Sequence, residues 1–301
     1  MNLWETRVEI AADAAGEVET ALLESGCESW TLLEDALGRR AWIVGIFTSA
    51  SDAEARWRDL LASLGSAPLG APSTRELPDA DWKNSYREHF RAWTFGRLHW
   101  VPVWEKQTFK LPAGHSVLWL DPGMAFGTGN HETTRLCIER LVGFEEASAG
   151  RIVPGALSMI DAGCGSGILA LSAALLGFGF VYGFDNDPEA IRVSIENAEL
   201  NALAGRVRFK TASLPGGLEG AQADVVAANI QADVLSAFPG SLVSAVAPGG
   251  ILAMSGILAS EIGTVRAAFA PFTPGWTSDS RVMGEWCDLC LRAPEPSPKG
   301  P

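Results

Sequence analysis

Three glycines at alternate positions mark a stretch of the chain that is suited to bind a nucleotide. Gly163, Gly165 and Gly167 follow a short apolar run that contains Asp161. Asp185 ends a second apolar run, about twenty residues after the turn, where an acidic side chain can accept hydrogen bonds from ribose hydroxyls. Glycine permits a tight turn and lets backbone N–H groups approach a ligand closely. The pattern predicts a nucleotide site built from strand, turn, helix and strand.

The spacing of the glycines distinguishes between classes of nucleotide. A dinucleotide fingerprint is spaced G-x-G-x-x-G, whereas this turn is spaced G-x-G-x-G and is preceded by Asp161. A carboxylate repels a pyrophosphate but attracts a cationic ligand such as an ammonium or a sulfonium. The combination is typical of class I methyltransferases. We therefore predict S-adenosyl-L-methionine as the cofactor, with Asp161, the three glycines and Asp185 as contacts; the alternative is an NAD-dependent oxidoreductase.

A second glycine-rich loop precedes this turn. The segment LDPGMAFGTGNHETT, residues 120–134, ends in paired threonines that open a helix. Such a loop can fold over a cofactor and bring hydroxyl and N–H groups to a carboxylate. We predict that Phe126, Gly127 and Thr134 contact the cofactor. The alternative is that Thr133 and Thr134 only cap the helix.

The candidate catalytic residues are an asparagine and a histidine. Asn229 ends the buried run DVVAAN, and therefore lies at the carboxyl edge of the sheet, where open α/β proteins bind ligands. Its carbonyl oxygen can hold and orient a nitrogen nucleophile. His131 is the nearest candidate for a general base, although a histidine that only stabilises the loop explains it equally well.

Composition excludes several other functions. The 301 residues carry a net charge of −13, which disfavours direct binding to nucleic acid, because phosphate contacts need clustered Lys and Arg. Five scattered cysteines argue against a disulfide framework and fit a reducing cytoplasm. Cys287 and Cys290 lie three apart in a predicted strand, on opposite faces, so we predict no metal site there. No apolar run is long enough for a membrane span, and no signal peptide is recognisable.

The sequence pattern of residues 1–65 predicts a small ferredoxin-like α+β domain. Its pattern is β-α-β-β-α, with alternating residues from Trp4 to Ile10, a helix over 11–24, and a second helix that Ser51 opens. Thr74 to Leu77 is a candidate last strand. Residues 1–65 contain 12 acidic residues against 5 arginines, which provides either a solvated face or a docking surface for a basic protein.

The rest of the chain predicts an α/β domain over residues 95–292. A linker and a connecting helix over 66–94 precede it, and a disordered proline-rich tail over 293–301 follows it. Buried strands alternate with helices, as in a doubly wound, Rossmann-like sheet. The segments around Gly284 predict an antiparallel hairpin that closes this sheet.

Several ordered motifs resemble the PrmA-type ribosomal-protein methyltransferases. They are AFGTGNHETT, IDAGCGSGILA, GFDNDPEAI, VVAANI and LAMSGIL, and the segments DWKNSYREHF and FGRLHWVPVW also fit. The resemblance covers most of residues 80–292, whereas the first 65 residues match mainly in pattern. One departure is Asn130, where the family often has another residue.

The resemblance implies methyl transfer to lysine side chains and to the terminal amine of a basic large-subunit ribosomal protein, which the first domain would grip. It also implies that Thr134, Gly163, Asp185 and Asn229 contact the cofactor. Other acceptors remain open, namely a lysine of another protein or a small amine. A further alternative is a cofactor-binding adaptor without activity. A nucleic-acid acceptor is disfavoured, because Ile230-Gln231-Ala232 follows Asn229 where such enzymes have two prolines and an aromatic residue.

Overall fold

The structure is a computed structural model in which the chain forms two compact units, Met1–Phe90 and Arg91–Pro301. Each unit is described by itself. The structure describes residues 3–11, 14, 18, 22, 30–35, 40–64, 70–77, 92–121, 132–150, 153 and 155–295.

The smaller unit contains a four-stranded antiparallel sheet. Its strands are β1 (Leu3–Ile10), β2 (Trp30–Asp35), β3 (Arg40–Phe47) and β4 (Ser73–Leu77), in the order β2-β3-β1-β4. Val8 and Ile10 are buried while Arg7 and Glu9 are exposed. This is the predicted alternation of a strand with one face in the core.

Helix α1 (Ala50–Leu64) packs on the buried face of this sheet. Ala53, Trp57 and Leu60 are buried and lie three or four positions apart, as an amphipathic helix requires. The predicted cap at Ser51 is wrong. Ser49 caps the helix, because its Oγ accepts the N–H of Asp52 at 3.1 Å.

The predicted boundary of the first domain at residue 65 lies too early for the observed sheet. Strand β4 falls in the predicted linker, yet it pairs with β1 over five residue pairs. The predicted helix over 11–24 and the connecting helix over 81–90 lie wholly or mostly outside the described residues. The ferredoxin-like assignment therefore stays a prediction.

The larger unit begins with a small three-stranded sheet. Its strands are β5 (Trp93–Phe95), β6 (Leu98–Pro102) and β7 (Ser116–Leu120), with β5 antiparallel and β7 parallel to β6. A short 3-10 helix, Val103–Glu105, follows β6. Trp100 of β6 is fully buried and donates its indole N–H to Ser172 Oγ at 2.9 Å.

An eight-stranded sheet forms the centre of the larger unit. Its strands are β8 (Ser158–Ala162), β9 (Phe180–Asp185), β10 (Val207–Thr211), β11 (Ala223–Asn229), β12 (Val246–Leu258), β13 (Thr277–Asp279), β14 (Val282–Met283) and β15 (Trp286–Arg292). The order is β10-β9-β8-β11-β12-β15-β13, with β14 paired to β15. Strands β8 to β12 are parallel and β15 is antiparallel to its neighbours. The predicted antiparallel hairpin, with β14 and β15 flanking Gly284, is confirmed.

Helices cover the sheet and enclose a separate apolar core on each of its two faces. They are α2 (Glu132–Ser148), α3 (Ile168–Leu176), α4 (Pro188–Leu200), α5 (Leu214–Leu218), α6 (Ala232–Ala237), α7 (Pro239–Ser244) and α8 (Ile262–Phe269), and a 3-10 turn, Ala270–Phe272, follows α8. Cys287 belongs to one core and Cys290 packs against the other, as their strand spacing predicts. No helix formed by the described residues combines the length and apolarity needed to cross a membrane.

Three features of the larger unit differ from what the sequence predicts. The pattern of residues 232–246 predicts a single helix, but the segment forms two, because Pro239 disfavours helical backbone at Phe238, whose φ is −128°. Helix α5 was not predicted, since Pro215 is followed by two glycines. The predicted disordered tail is wrong for its first residues: Ala293 donates its N–H to Gly250 O, and Gly249 donates to Pro294 O, both at 3.0 Å.

A buried ion cluster ties α2 to β15. Asp288 of β15 is 1% exposed and accepts hydrogen bonds from the guanidinium of Arg140 on α2, at 2.8 and 2.9 Å. Arg281 donates to the same carboxylate from its backbone N–H and its guanidinium, and also to Leu136 O of α2 at 2.8 Å. The cluster fixes the position of α2 on the sheet.

We expect Asp288→Ala to lower the free energy of unfolding by about 1.5–3 kcal/mol, because it removes the buried anion that two partly exposed guanidinium groups share, while Arg140 keeps Asp279 and Arg281 keeps Glu139. Urea denaturation of the full chain measures the change. Glu189→Ala is the control, since it removes an exposed carboxylate paired with Arg192, and we expect no resolvable change there. Equal effects of the two substitutions would contradict the role given to the cluster.

Candidate functional site

The glycine turn between β8 and α3 is bound to the end of β9. The N–H groups of Gly163 and Cys164 both donate to Phe184 O, each at 2.9 Å. Gly163, Gly165 and Gly167 have φ values of +74°, +50° and +76°, a region that residues with a Cβ rarely adopt. The sequence-predicted turn is therefore present, and it needs glycine for its backbone conformation.

Two of these glycines are also required by close packing. A Cβ added to Gly163 would lie 2.5 Å from Ile230 Cγ2. A Cβ added to Gly167 would lie 2.9 Å from Phe209 Cζ and 3.1 Å from Ser194 Cβ. The turn thus lies directly against the segment that follows β11 on one side and against α4 and β10 on the other.

Asp185 ends β9 beside the turn. Its Oδ2 accepts the N–H of Gly165 at 2.9 Å, and its Oδ1 accepts the N–H of Asp187 at 3.1 Å. An ionised carboxylate has about four acceptor positions, so each oxygen keeps one for a ligand hydroxyl. The structure brings Asp185 and the glycine turn together, as predicted.

Asp161 has a different environment from Asp185. It is 1% exposed, and its Oδ2 accepts the N–H of Ala170 at 3.0 Å. The N-cap of α3 is Gly167, which has no side chain, so Asp161 supplies the oxygen that a capping residue would provide. Burial raises the pKa of Asp161 to about 7, with a smaller rise from Asp185, against the hydrogen bond from Ala170. This geometry supports a role in positioning the turn, and its predicted contact with the cofactor stays a prediction.

A cavity of about 430 Å³ opens beside the turn, within the usual range of about 300–1,000 Å³ for small-molecule sites. Its lining joins the ends of β9, β10 and β11, and consists of Gly163, Phe184, Asp185, Asn186, Ala212, Ser213, Leu214, Pro215, Ile230, Gln231, Val234 and Phe238. Sequence reasoning missed most of these residues. Their position directly after predicted parallel strands is the signal that could have found them, because parallel strand ends meet at one edge.

Asn229 lies at the same edge, one strand along from the turn. It ends β11 and is paired in register with Ser255 of β12. Its Nδ2 donates to Thr134 Oγ1 on the first turn of α2, at 3.2 Å. Two residues predicted from separate motifs are therefore in direct contact.

The remaining predicted site residues, Phe126, Gly127 and His131, lie outside the described residues, as does Asn130. Their roles stay predictions. Helix α2 begins at Glu132, where the paired threonines predicted a helix start.

The strand order and the turn together define the class of protein. The parallel strands are ordered β10-β9-β8-β11-β12 in the sheet. Strands β9 and β10 are added on one side of β8, and strands β11 and β12 on its other side. Ligands bind in doubly wound sheets at the point where this order changes side, which here lies between β8 and β11. The antiparallel strand β15 lies between β12 and β13, the glycine turn follows β8, and an acidic residue ends β9. Together with the strand order, these features define the fold of the class I methyltransferases.

The chain belongs to the family described as ribosomal protein L11 methyltransferase (PrmA), whose sequence profile matches residues 2–294. It is 40% identical over 277 residues to the ribosomal protein L11 methyltransferase of Azotobacter vinelandii, covering 87% of this chain and 90% of that protein. The protein of that name from Alkalilimnicola ehrlichii is 36% identical and covers 94% of this chain and 92% of its own length.

Among solved structures, the ribosomal protein L11 methylase of Lactobacillus delbrueckii subsp. bulgaricus is similar to this chain. Its TM-score is 0.56 at 28% identity, and the match covers 68% of this chain and 99% of that one. The resemblance inferred from the motifs is therefore confirmed at the level of the family and the fold.

The raised pKa of the buried Asp161 makes the stability of the folded chain depend on pH. The pKa of Asp161 rises on folding from its ordinary 3.8 to about 7, so the native state holds a proton that the unfolded state has released. Its contribution to the free energy of unfolding therefore falls as pH rises through this window. We expect Asp161→Asn, which keeps an acceptor for Ala170, to remove roughly 2–3 kcal/mol of the decrease between pH 5 and 8.

Urea denaturation at several pH values measures this difference. Glu189→Gln is the control, because Glu189 is an exposed carboxylate whose lowered pKa, caused by its hydrogen bond with Arg192, keeps it ionised throughout this range. An unchanged pH dependence in Asp161→Asn would show that Asp161 is not protonated in the native state.

Proposed function

We propose that this protein transfers methyl groups from S-adenosyl-L-methionine to nitrogen atoms of ribosomal protein L11, at lysine side chains and at the N-terminal amine. The observation that carries the proposal is the meeting of Asp185, the glycine turn and the Asn229–Thr134 pair at one edge of the sheet, in a chain of this family. A ribosomal-protein substrate places the reaction in the cytoplasm.

The described residues fit the methyl donor. Asp185 keeps free acceptor positions for two ribose hydroxyls, and the cavity beside it has largely apolar walls, including Phe184, Leu214 and Ile230, that suit a purine. Gly163 and Gly165 leave the backbone uncovered next to Asp185. None of the described residues that line this cavity is Lys or Arg.

The residues of the protein orient the acceptor amine for the reaction. When bound, S-adenosyl-L-methionine provides an electrophilic methyl group; the acceptor nitrogen forms the new N–C bond, the S–C bond breaks, and S-adenosylhomocysteine leaves. Asn229 Oδ1 accepts one N–H of the acceptor amine, so that the nitrogen lone pair points away from Asn229. Positioning of this kind can contribute several kcal/mol to the lowering of the barrier.

The acidic first part of the chain supports a basic partner. Residues 1–65 carry 12 acidic residues against 5 arginines, and complementary charge mainly increases the rate of association. We infer that this part of the chain contributes to binding the ribosomal protein.

The direct test is to incubate the full-length enzyme with purified L11 and methyl-labelled S-adenosyl-L-methionine, and to map the modified peptides by mass. We expect label on lysines and on the N-terminal residue of L11. The same assay on a mixture of ribosomal proteins provides the comparison, and label on another protein alone would contradict the proposed acceptor.

The pH dependence of labelling separates the two kinds of acceptor. A lysine has a pKa of about 10.4 and a terminal amine about 7.8, and only the neutral amine attacks. We expect the rate at lysine to rise nearly tenfold per unit up to about pH 9, and the rate at the terminal amine to level off above about pH 8. Parallel profiles for both sites would show that the enzyme deprotonates its acceptor.

We expect Asn229→Ala to reduce kcat by about tenfold or more, on the order of 1.4 kcal/mol, and to leave the affinity for S-adenosyl-L-methionine largely intact. Calorimetry measures donor binding and the labelling assay measures turnover. Turnover close to that of the unmodified enzyme would exclude the orienting role.

A further inference from the structure

We propose that Thr134 is a positioning residue that holds the Nδ2 end of the Asn229 amide, and thereby leaves Oδ1 for the acceptor nitrogen. The inference rests on the proposed function and deepens it. It assigns Thr134 to the acceptor side of the reaction, whereas the family resemblance alone implies a contact with the methyl donor.

The geometry of the pair gives Thr134 this role. The hydroxyl of Thr134 accepts the Nδ2–H of Asn229 at 3.2 Å, and Thr134 is 2% exposed. A carboxamide is planar, with Nδ2 and Oδ1 on opposite sides of the same carbon. With Nδ2 held at Thr134, Oδ1 is the amide atom left for a second partner, and Asn229 ends β11 at the edge of the sheet where the ligand site lies.

The backbone of Asn229 is fixed by the neighbouring strand, so that the position of its amide depends on the side chain and its partner. Asn229 is paired in register with Ser255 of β12. A Cβ added to Gly256, whose φ is +80°, would lie 2.5 Å from Ile230 O, which shows how closely β12 approaches the peptide after Asn229. The two orientations of the amide differ mainly in which atom contacts Thr134.

These two orientations have opposite chemical consequences. With Oδ1 towards the acceptor, Asn229 accepts an N–H and leaves the nitrogen lone pair available for attack. With Nδ2 towards the acceptor, Asn229 donates a hydrogen bond to that lone pair, which is the electron pair that must form the N–C bond. Only the first orientation assists the reaction.

Thr134 is itself well anchored. It lies on α2, which Arg140 and Arg281 hold to the buried carboxylate of Asp288. The distance between Thr134 and Asn229 therefore depends on the packing of a helix on a sheet, and the pair does not depend on a surface loop for its position.

A double-mutant cycle tests the inference, using Thr134→Val, Asn229→Ala and the double variant of the full-length enzyme with L11 as acceptor. We expect Thr134→Val to lower kcat about three- to tenfold, as the loss of one hydrogen bond predicts, with the Kd for S-adenosyl-L-methionine changed less than twofold. In the Asn229→Ala background the same substitution should have no further effect on kcat, because the residue it orients is absent.

Thr134→Ser keeps the hydroxyl and should restore kcat, and Thr134→Ala serves as a second variant without a hydroxyl if the valine disturbs folding. Thr133→Val makes the same substitution at the neighbouring position of the same helical turn, where Thr133 is 4% exposed against 2% for Thr134; any effect of it on kcat should be the same with Asn229 present and in the Asn229→Ala background.

Two results would overturn the inference alone. The first is an equal loss of kcat from Thr134→Val in both backgrounds, and the second is a weaker Kd for the donor with kcat unchanged, which would return Thr134 to the donor side. Failure of the unmodified enzyme to label L11 would instead overturn the proposed function, and the inference with it.

Discussion

The site depends on one carbonyl group that accepts two hydrogen bonds. Phe184 O receives the N–H groups of both Gly163 and Cys164, and this joins the turn after the first strand of the parallel sheet to the end of the second strand. Asp185 is the next residue, so its carboxylate comes within 2.9 Å of Gly165 N. This contact places the turn beside the acidic side chain and the cavity wall, and the turn that makes it needs glycine at 163, 165 and 167, where φ is positive.

The parts of the site that are local in sequence could be predicted. The glycine turn, Asp185 and the strand that ends in Asn229 are all encoded by short patterns of apolar residues, glycine and a terminal polar residue. The order of elements in the larger unit follows from the same patterns. The apolar runs predicted to end at Asp185 and Asn229 form β9 and β11, since burial on both faces of a parallel sheet gives nearly continuous apolar runs.

The parts that sequence did not reveal depend on packing between distant elements. The hydrogen bond between Thr134 and Asn229 joins residues 95 positions apart, and neither motif indicates the other. The burial of Asp161 and its bond to Ala170 become visible only when α3 packs on β8. The division of α6 from α7 is a different case, because Pro239 is present in the sequence and its effect on Phe238 was overlooked.

The proposed reaction separates two tasks along the sheet. On the proposed donor side, from Gly163 to Asp185, backbone N–H groups and a carboxylate are fixed by the turn. On the proposed acceptor side, the contact of Asn229 with Thr134 depends on the placement of α2, which the Asp288 cluster holds to β15. A buried ion pair contributes little net stability compared with apolar packing, so we interpret this cluster through the geometry that it imposes. It holds α2 in one position on the sheet, and that position sets the distance between Thr134 and Asn229.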